Sequence, residues 1–283
     1  MEACVFMYRR LNINNNQNII FLKPIAIFLL IAILSAFNAK SLRAQVLIGA
    51  KTAANISWMR YEDFDTEQFE KKPAFGYSAG ITAAYKVQKR FLVQLDIMYT
   101  QTGKKIDGIS GPSFKNYAKY HHLNTPIVYK LDFKNALFNR TFKWYVGAGP
   151  DVNFWLGGNG ILQSEELREE AIEELDYKII FKDVPANPEY GGLYYPEVNK
   201  VQVGLILSTG IVLEPMPGYS LMIDIRYKWG HSYMAREDAQ FSNVISYEDN
   251  LRARNQALEI SVAYVFDIKN KGKKEKKIYY KNQ

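Results

Sequence analysis

Apolar and polar positions alternate with a period of two through most of the chain, which is the mark of strands with one face of each kind. Residues 220–231 show it most clearly. Leu221, Ile223, Ile225, Tyr227 and Trp229 share one phase, and Asp224, Arg226 and Lys228 stand between them. The same alternation predicts strands over 46–58, 75–87, 91–102, 117–133, 141–156, 200–213 and 256–268. The segment 117–133 has the poorest pattern, and Pro126, which cannot donate to a ladder, predicts a bulge there. Segments 59–74, 103–115, 157–199 and 233–254 lack the alternation and are expected as loops. Within 157–199, the run SEELREEAIEEL predicts a short helix. Ser164 is its N-cap, and Leu167, Ala171 and Leu175 fall on one face.

A strand with one greasy and one charged face fits two architectures. A soluble sandwich or lipocalin-like barrel buries the greasy face, whereas a membrane barrel turns it to lipid. Three features favour lipid. Connections after the first, third, fifth and seventh strands are long, about 13 to 43 residues, and the others are tight. The strands run to 11–17 residues, where about 9–11 cross a bilayer at a tilt and about 5–6 is usual in soluble sheets. Aromatic residues gather at both ends of the apolar phase. Trp58, Tyr99, Tyr227 and Trp229 lie at the loop end, and Tyr85, Phe91, Phe133, Phe142, Trp144 and Phe266 at the turn end, as in two interfacial girdles.

The expected fold is therefore all-β: an eight-stranded antiparallel up-and-down transmembrane β-barrel with a short helix in one long outer loop. A sheet in hydrocarbon must close, because every backbone amide there needs a partner. On the inner phase Gly76, Gly80, Gly147, Gly149, Gly204 and Gly210 leave room for longer neighbours. Lys51, Asp96, Asp224, Arg226, Lys228 and Glu259 share that phase. Buried and unpaired they would be costly, so a salt-bridge network in the lumen is expected. A narrow passive channel is the alternative reading of these charges, although a lumen of this strand number is ordinarily filled by side chains.

Charge and cysteine usage narrow the function classes. The formal net charge of +7 belongs to the ends: residues 1–44 carry +4, residues 269–283 carry +6, and the middle is at −3. No basic surface interleaved with aromatics accompanies it, so nucleic acid is not an expected partner. The single cysteine, Cys4, excludes a disulfide framework and a cysteine-based zinc site. Arg9, Arg10 and Lys23 precede an apolar run over 25–37, too short for a comfortable spanning helix. Residues 1–44 therefore read as a secretory signal peptide cut after Ala44, with Ala39 as a second cleavage candidate. Residues 45–268 form the barrel, and 269–283 a lysine-rich periplasmic tail.

The phrases VLIGAKTAANIS, FGYSAGITAAY, FLVQLDIMYTQTGKK, LNTPIVYKL, WYVGAGPDVNF and ALEISVAYVFDI resemble the PorT-like outer-membrane β-barrel family of Bacteroidota. The resemblance covers about residues 46–268 and implies an eight-stranded barrel with both termini in the periplasm. The founding protein of that family serves type IX secretion, and no phrase in this chain is specific to it. The acidic insertion 157–199 and the basic tail depart from the simpler family pattern.

Other candidate chemistry is sparse. His121, His122 and His231 map near the loop end, and His231 with Ser232 and Asp238 would suit a hydrolase or acyltransferase rim, but no spacing motif supports catalysis. Asp63, Asp65 and Glu67 alternate as calcium ligands can, without the glycine and final glutamate of an EF-hand. The expectation is a monomeric, non-enzymatic barrel with no cofactor or metal. Its partners are outer-membrane lipid and, through the tail, envelope proteins or peptidoglycan. Its role is as scaffold or accessory of an envelope or secretion machine.

Overall fold

The computed structural model describes residues 46–268, apart from 63, 89, 110–113, 138–139, 217, 237, 243–247 and 250–251. The segment read as a signal peptide, Cys4 within it, and the basic tail lie outside the described residues. In chain order the strands are β1 (Val46–Tyr61), β2 (Phe69–Lys72), β3 (Ala74–Lys86), β4 (Phe91–Gly108), β5 (Lys115–Asn124), β6 (Ile127–Leu137) and β7 (Arg140–Gln163). Then follow helix α1 (Glu165–Glu169), β8 (Leu175–Ile180), β9 (Gly192–Tyr194), β10 (Val201–Met216), β11 (Tyr219–Gly230), β12 (Ala239–Phe241), β13 (Glu248–Asp249) and β14 (Ala253–Asp267).

Eight antiparallel staves close into a ring. β1 pairs with β14 on one side and β3 on the other. The ring continues through β4, a stave built end to end from β5 and β6, then β7, β10 and β11, which returns to β14. Closure leaves no free edge, which is what a sheet in hydrocarbon requires. The stave expected over 117–133 is interrupted between β5 and β6 by Thr125 and Pro126. Pro126 has no N–H to offer, but its carbonyl accepts from the Asp96 N–H, and the Thr125 N–H reaches the Val152 carbonyl. The backbone thus stays paired through the break. The register shift in this stave falls slightly earlier, at His121/His122 against β7.

The loop end is more ordered than the sequence pattern indicates, with fourteen strand segments in place of eight. β4, β5 and β7 run on past the expected loop boundaries and stay paired with one another. β2 adds to β4, β8 adds to β7, and β9 lies parallel to β8. β12 pairs with both β9 and β13. These extensions hold because their inward phase is itself apolar: Ile106, Tyr120, Leu162 and Tyr177 are all buried.

The helix is shorter than 164–175. Ser164 does cap it, accepting from the Leu167 N–H at 3.3 Å, but α1 ends at Glu169. Ala171 then takes a left-handed backbone, φ 61°, which ends the helical path. Leu167 and Leu175 are both buried, but from different elements, α1 and β8, and Ala171 is exposed.

The barrel is inside-out relative to a water-soluble domain. Its outer face carries Phe75 at 73 % exposure and Ile81 and Ile260 at 56 %, with Leu95, Ile97, Leu207, Ile225 and Val262 among many others. Its interior buries charged groups. Contiguous apolar exposure on this scale is stable when lipid covers it. No helix among the described residues is long and apolar enough to cross a membrane. Two apolar clusters close the ends of the interior. Leu47, Ala84, Leu92, Met222, Ala263 and Val265 pack at the turn end. A larger cluster around Met59, Tyr120, Trp155, Leu162, Tyr195 and Met234 packs beneath the loops.

Candidate functional site

Between the two apolar clusters lies a polar layer built from inward positions of the staves. Lys51 of β1 donates to Asp96 of β4 at 3.1 Å and to Asp224 of β11 at 2.9 Å. Arg226, two residues beyond Asp224 and so on the same face, donates to Asp96 at 2.6 Å and to Asp224 at 2.8 Å. Thr82 and Gln94 donate to the other oxygen of Asp96, at 2.5 and 2.7 Å. Tyr145 of β7 donates to Asp224. The register supplies the space for these long side chains. Lys51 stands between Gly80 and Ala263, and Asp224 stands opposite Gly210. A Cβ on Gly210 would lie 2.7 Å from the Tyr145 hydroxyl, so the close approach of that ring needs glycine.

One step towards the loops, Lys228 donates to Glu259 at 2.7 Å and to the Asn124 side-chain carbonyl at 3.0 Å. Ser78 donates to the same Glu259 oxygen at 3.2 Å. Asn124 donates in turn to Asp151 at 2.5 Å, and Asn153 donates to the other Asp151 oxygen at 3.1 Å. Arg226 and Glu259 are register partners, so the two clusters are continuous. All six lumen charges considered from the sequence, Lys51, Asp96, Asp224, Arg226, Lys228 and Glu259, are therefore brought together and are at most 9 % exposed.

Lys130, Tyr145, Asn124 and Asp151 belong to the same network and were not among the charges singled out from the sequence, although Asp151 shares the inward phase of Gly147 and Gly149. Lys130 sits 3.8 Å from Asp224 with its ammonium 3.7 Å above the Tyr145 ring. It lies in the stave broken at Pro126, where the alternation is hardest to phase. With it, the layer holds four cations (Lys51, Lys130, Arg226, Lys228) against four carboxylates (Asp96, Asp151, Asp224, Glu259), a balanced set. Such a layer can fill and orient the interior.

A further buried pair sits in the loop-end cluster, beyond the aromatic residues. Lys104 contacts Asp249 at 2.5 Å, and the Tyr195 hydroxyl donates to the same carboxylate at 2.6 Å. Burial pushes the Lys104 ammonium below its usual range, offset in part by Asp249, and pushes Tyr195 well above the ordinary tyrosine value. The pair ties β4 to the segment carrying β13.

The aromatic residues singled out from the sequence all lie on the outward face. At the loop end, Trp58 donates to Gln256 at 2.9 Å and packs 6.3 Å from Tyr227, with Trp229 48 % exposed nearby. Tyr99 stacks on His121, its hydroxyl 2.7 Å from Nδ1. At the turn end Trp144 stacks on Phe133 at 4.4 Å, Phe266 is the register partner of Tyr219, and Tyr85 pairs with Val46.

The rim histidines do not form a constellation. His121 points outward against Tyr99, and His122 is buried beside Thr102 at 3.2 Å. His231 and Asp238 are exposed. Asp65 accepts from the backbone of Glu67 and Gln68, so its carboxylate is used in a local turn; Asp63 lies outside the described residues. Among the described residues no three His, Cys, Asp or Glu converge as metal ligands.

The fold and interior define an outer-membrane β-barrel, and the chain belongs to the family described as outer membrane protein beta-barrel domain, whose model matches residues 38–232. The outer membrane is accordingly its place in the cell. Similar solved structures include Neisserial surface protein A, at 15 % identity over 77 % of this chain and 96 % of that one, TM-score 0.38. OprG of Pseudomonas aeruginosa is 10 % identical over 79 % of this chain and 95 % of that one, TM-score 0.45. Ail, the attachment invasion locus protein of Yersinia pestis in complex with the heparin analogue sucrose octasulfate, is 10 % identical over 78 % of this chain and 99 % of that one, TM-score 0.32. No curated protein sequence matches the chain.

Proposed function

We propose that this protein is a closed, non-enzymatic outer-membrane barrel of the PorT-like kind that serves as scaffold or accessory of an envelope machine. The observation that carries this reading is the occupied interior. Apolar side chains pack at the turn end, the balanced ion-pair layer crosses the middle, and the loop-end cluster covers the top, with small cavities on either side of the layer. A barrel filled in this way offers little for solutes to pass through, so its working surfaces are its ends. This weighs against the passive-channel alternative.

The ends differ. The two limits of the described chain meet at the turn end, where Leu47 pairs with Asp267. In the proposed orientation that end is periplasmic, residues 1–44 are removed on export, and the lysine-rich residues 269–283 emerge there to meet anionic peptidoglycan or an envelope protein. The ordered loop end faces outward. The test is crosslinking in intact cells followed by purification of the tagged protein, comparing the full chain with one lacking 269–283. A defined envelope partner recovered with the full chain supports the scaffold. Recovery of no envelope partner from either chain contradicts it.

A further inference from the structure

The strand extensions beyond the loop-end aromatics carry a charge pattern that neither the family nor the scaffold reading uses. Residues directly opposite one another in an antiparallel pair point to the same side. Along the outward face, Tyr99 is opposite Leu123, and the next row up is Gln101 and His121. Above that, Gly103, Lys119, Asn159 and Lys178 form one row across β4, β5, β7 and β8. Lys72, Lys105, Tyr117, Ile161 and Asp176 form the row above. The opposite face of the same strands is buried against the loop-end cluster, with Ala118, Tyr120, Leu162, Tyr177 and the Lys104–Asp249 pair. The outward rows are therefore held rigidly by a packed core.

Three of these lysines have no carboxylate partner among the described ion pairs. Glu70 and Asp107 are both engaged by Lys72, at 3.4 and 2.7 Å. Lys105 lies with its ammonium 5.6 Å from the Tyr117 ring centroid, and Lys119 and Lys178 are exposed. Strands lie about 4.8 Å apart, so the Lys119 and Lys178 backbones stand roughly 10 Å apart across Asn159. Lys105 is about 7–8 Å diagonally from Lys119. Lys105 and Lys178 are three strands apart, roughly 14 Å across the sheet, so the three ammonium groups suit a headgroup with two phosphates, Lys105 and Lys119 reaching one and Lys178 the other. Their height suits a membrane anion. Four residues of a tilted strand raise the lower row about 10 Å above Tyr99, the level of headgroups over the hydrocarbon edge.

We infer that Lys105, Lys119 and Lys178 form a docking site for the phosphate groups of an outer-leaflet glycolipid seated against the wall of β4, β5, β7 and β8. Charge complementarity and position select this occupant. The lysines face sideways above the lipid belt, where a headgroup lies, and away from the loop crown, where a soluble partner would approach. The glycolipid acyl chains run down the exposed side chains below, Leu95, Ile97 and Tyr99 on β4 and Phe154 on β7. The inference rests on the loop end facing outward.

The test uses the full mature chain in detergent micelles, with diphosphorylated lipid A and its dephosphorylated form as probes, read by native mass spectrometry. Wild-type protein should retain the phosphorylated form and not the other. Lys105→Gln/Lys119→Gln/Lys178→Gln should weaken retention on the order of a hundredfold, from three lost surface lysine contacts. Lys86→Gln/Lys134→Gln/Lys143→Gln, which removes the same charge at the turn end, should leave it unchanged. A heat-modifiable gel shift shows that each variant is folded. Equal retention of both lipid forms, equal loss in both triple variants, or displacement by equimolar inorganic phosphate would each overturn the assignment. Micelle binding does not depend on orientation, which is read separately by thiol labelling of Lys182→Cys in intact cells.

Discussion

Arg226 is the residue whose removal most directly probes the interior. Its guanidinium contacts Asp96 at 2.6 Å and Asp224 at 2.8 Å, and its side chain is 1 % exposed. Replacing it with Met keeps much of the volume but leaves four buried carboxylates facing three cations. Breaking a buried ion pair from one side costs about 3–5 kcal/mol, because the abandoned charge has no solvent to turn to. Asp96→Asn makes the opposite error, leaving Lys51 and Arg226 with one carboxylate fewer. The double variant restores neutrality, so its loss should fall short of the sum of the singles by about 1–3 kcal/mol. The assay is urea unfolding from lipid vesicles, followed by fluorescence of the four tryptophans. The reasoning fails if Arg226→Met lies within about 1 kcal/mol of wild type, or if the single losses simply add; either result would mean that water, not the partners, compensates these charges.

Other outcomes follow from the same structure. Gly210→Val should block stable closure, because its first added carbon would meet the Ile223 carbonyl at 2.3 Å and the Tyr145 hydroxyl at 2.7 Å; loss of the heat-modifiable band is the readout. Ile260→Arg, on the lipid face with register partners Ala54 and Ile225, should destabilise the barrel by about 2–4 kcal/mol in vesicle unfolding, and a neutral effect would place that face in water. Lys104→Met removes the ammonium that ties β4 to Asp249; it should make the loop end protease-sensitive while the membrane-embedded staves stay protected, whereas uniform resistance would show that the pair does not hold the loops.

Much of the ring was legible because lipid and lumen impose one strict alternation on every stave. Alternation of the kind in 220–231 can be read without any tertiary information, and a one-residue slip would turn Asp224 and Arg226 to lipid. The same rule hid Lys130, since Thr125 and Pro126 interrupt its stave and the phase must be set by neighbours on β4 and β7. Asp249 and Tyr195 were invisible for a different reason. They sit in short segments whose burial depends on the loop-end cluster, a tertiary effect with no local period. Leu167 and Leu175 show the opposite failure: helical spacing put both on one face with Ala171, but Ala171 breaks the helix and is exposed, and β8 delivers the second leucine to the same cluster. The glycolipid rows needed the register of β4, β5, β7 and β8, which sequence spacing alone does not supply.

Single-protein recording in a planar lipid bilayer tests the central claim, a barrel whose lumen is blocked by its own side chains. Wild-type protein, inserted and verified as folded, should give no current steps above the bare membrane at any applied voltage. Steady, discrete ion-conducting steps from the wild-type chain would contradict the filled lumen and return the charged layer to the lining of a pore.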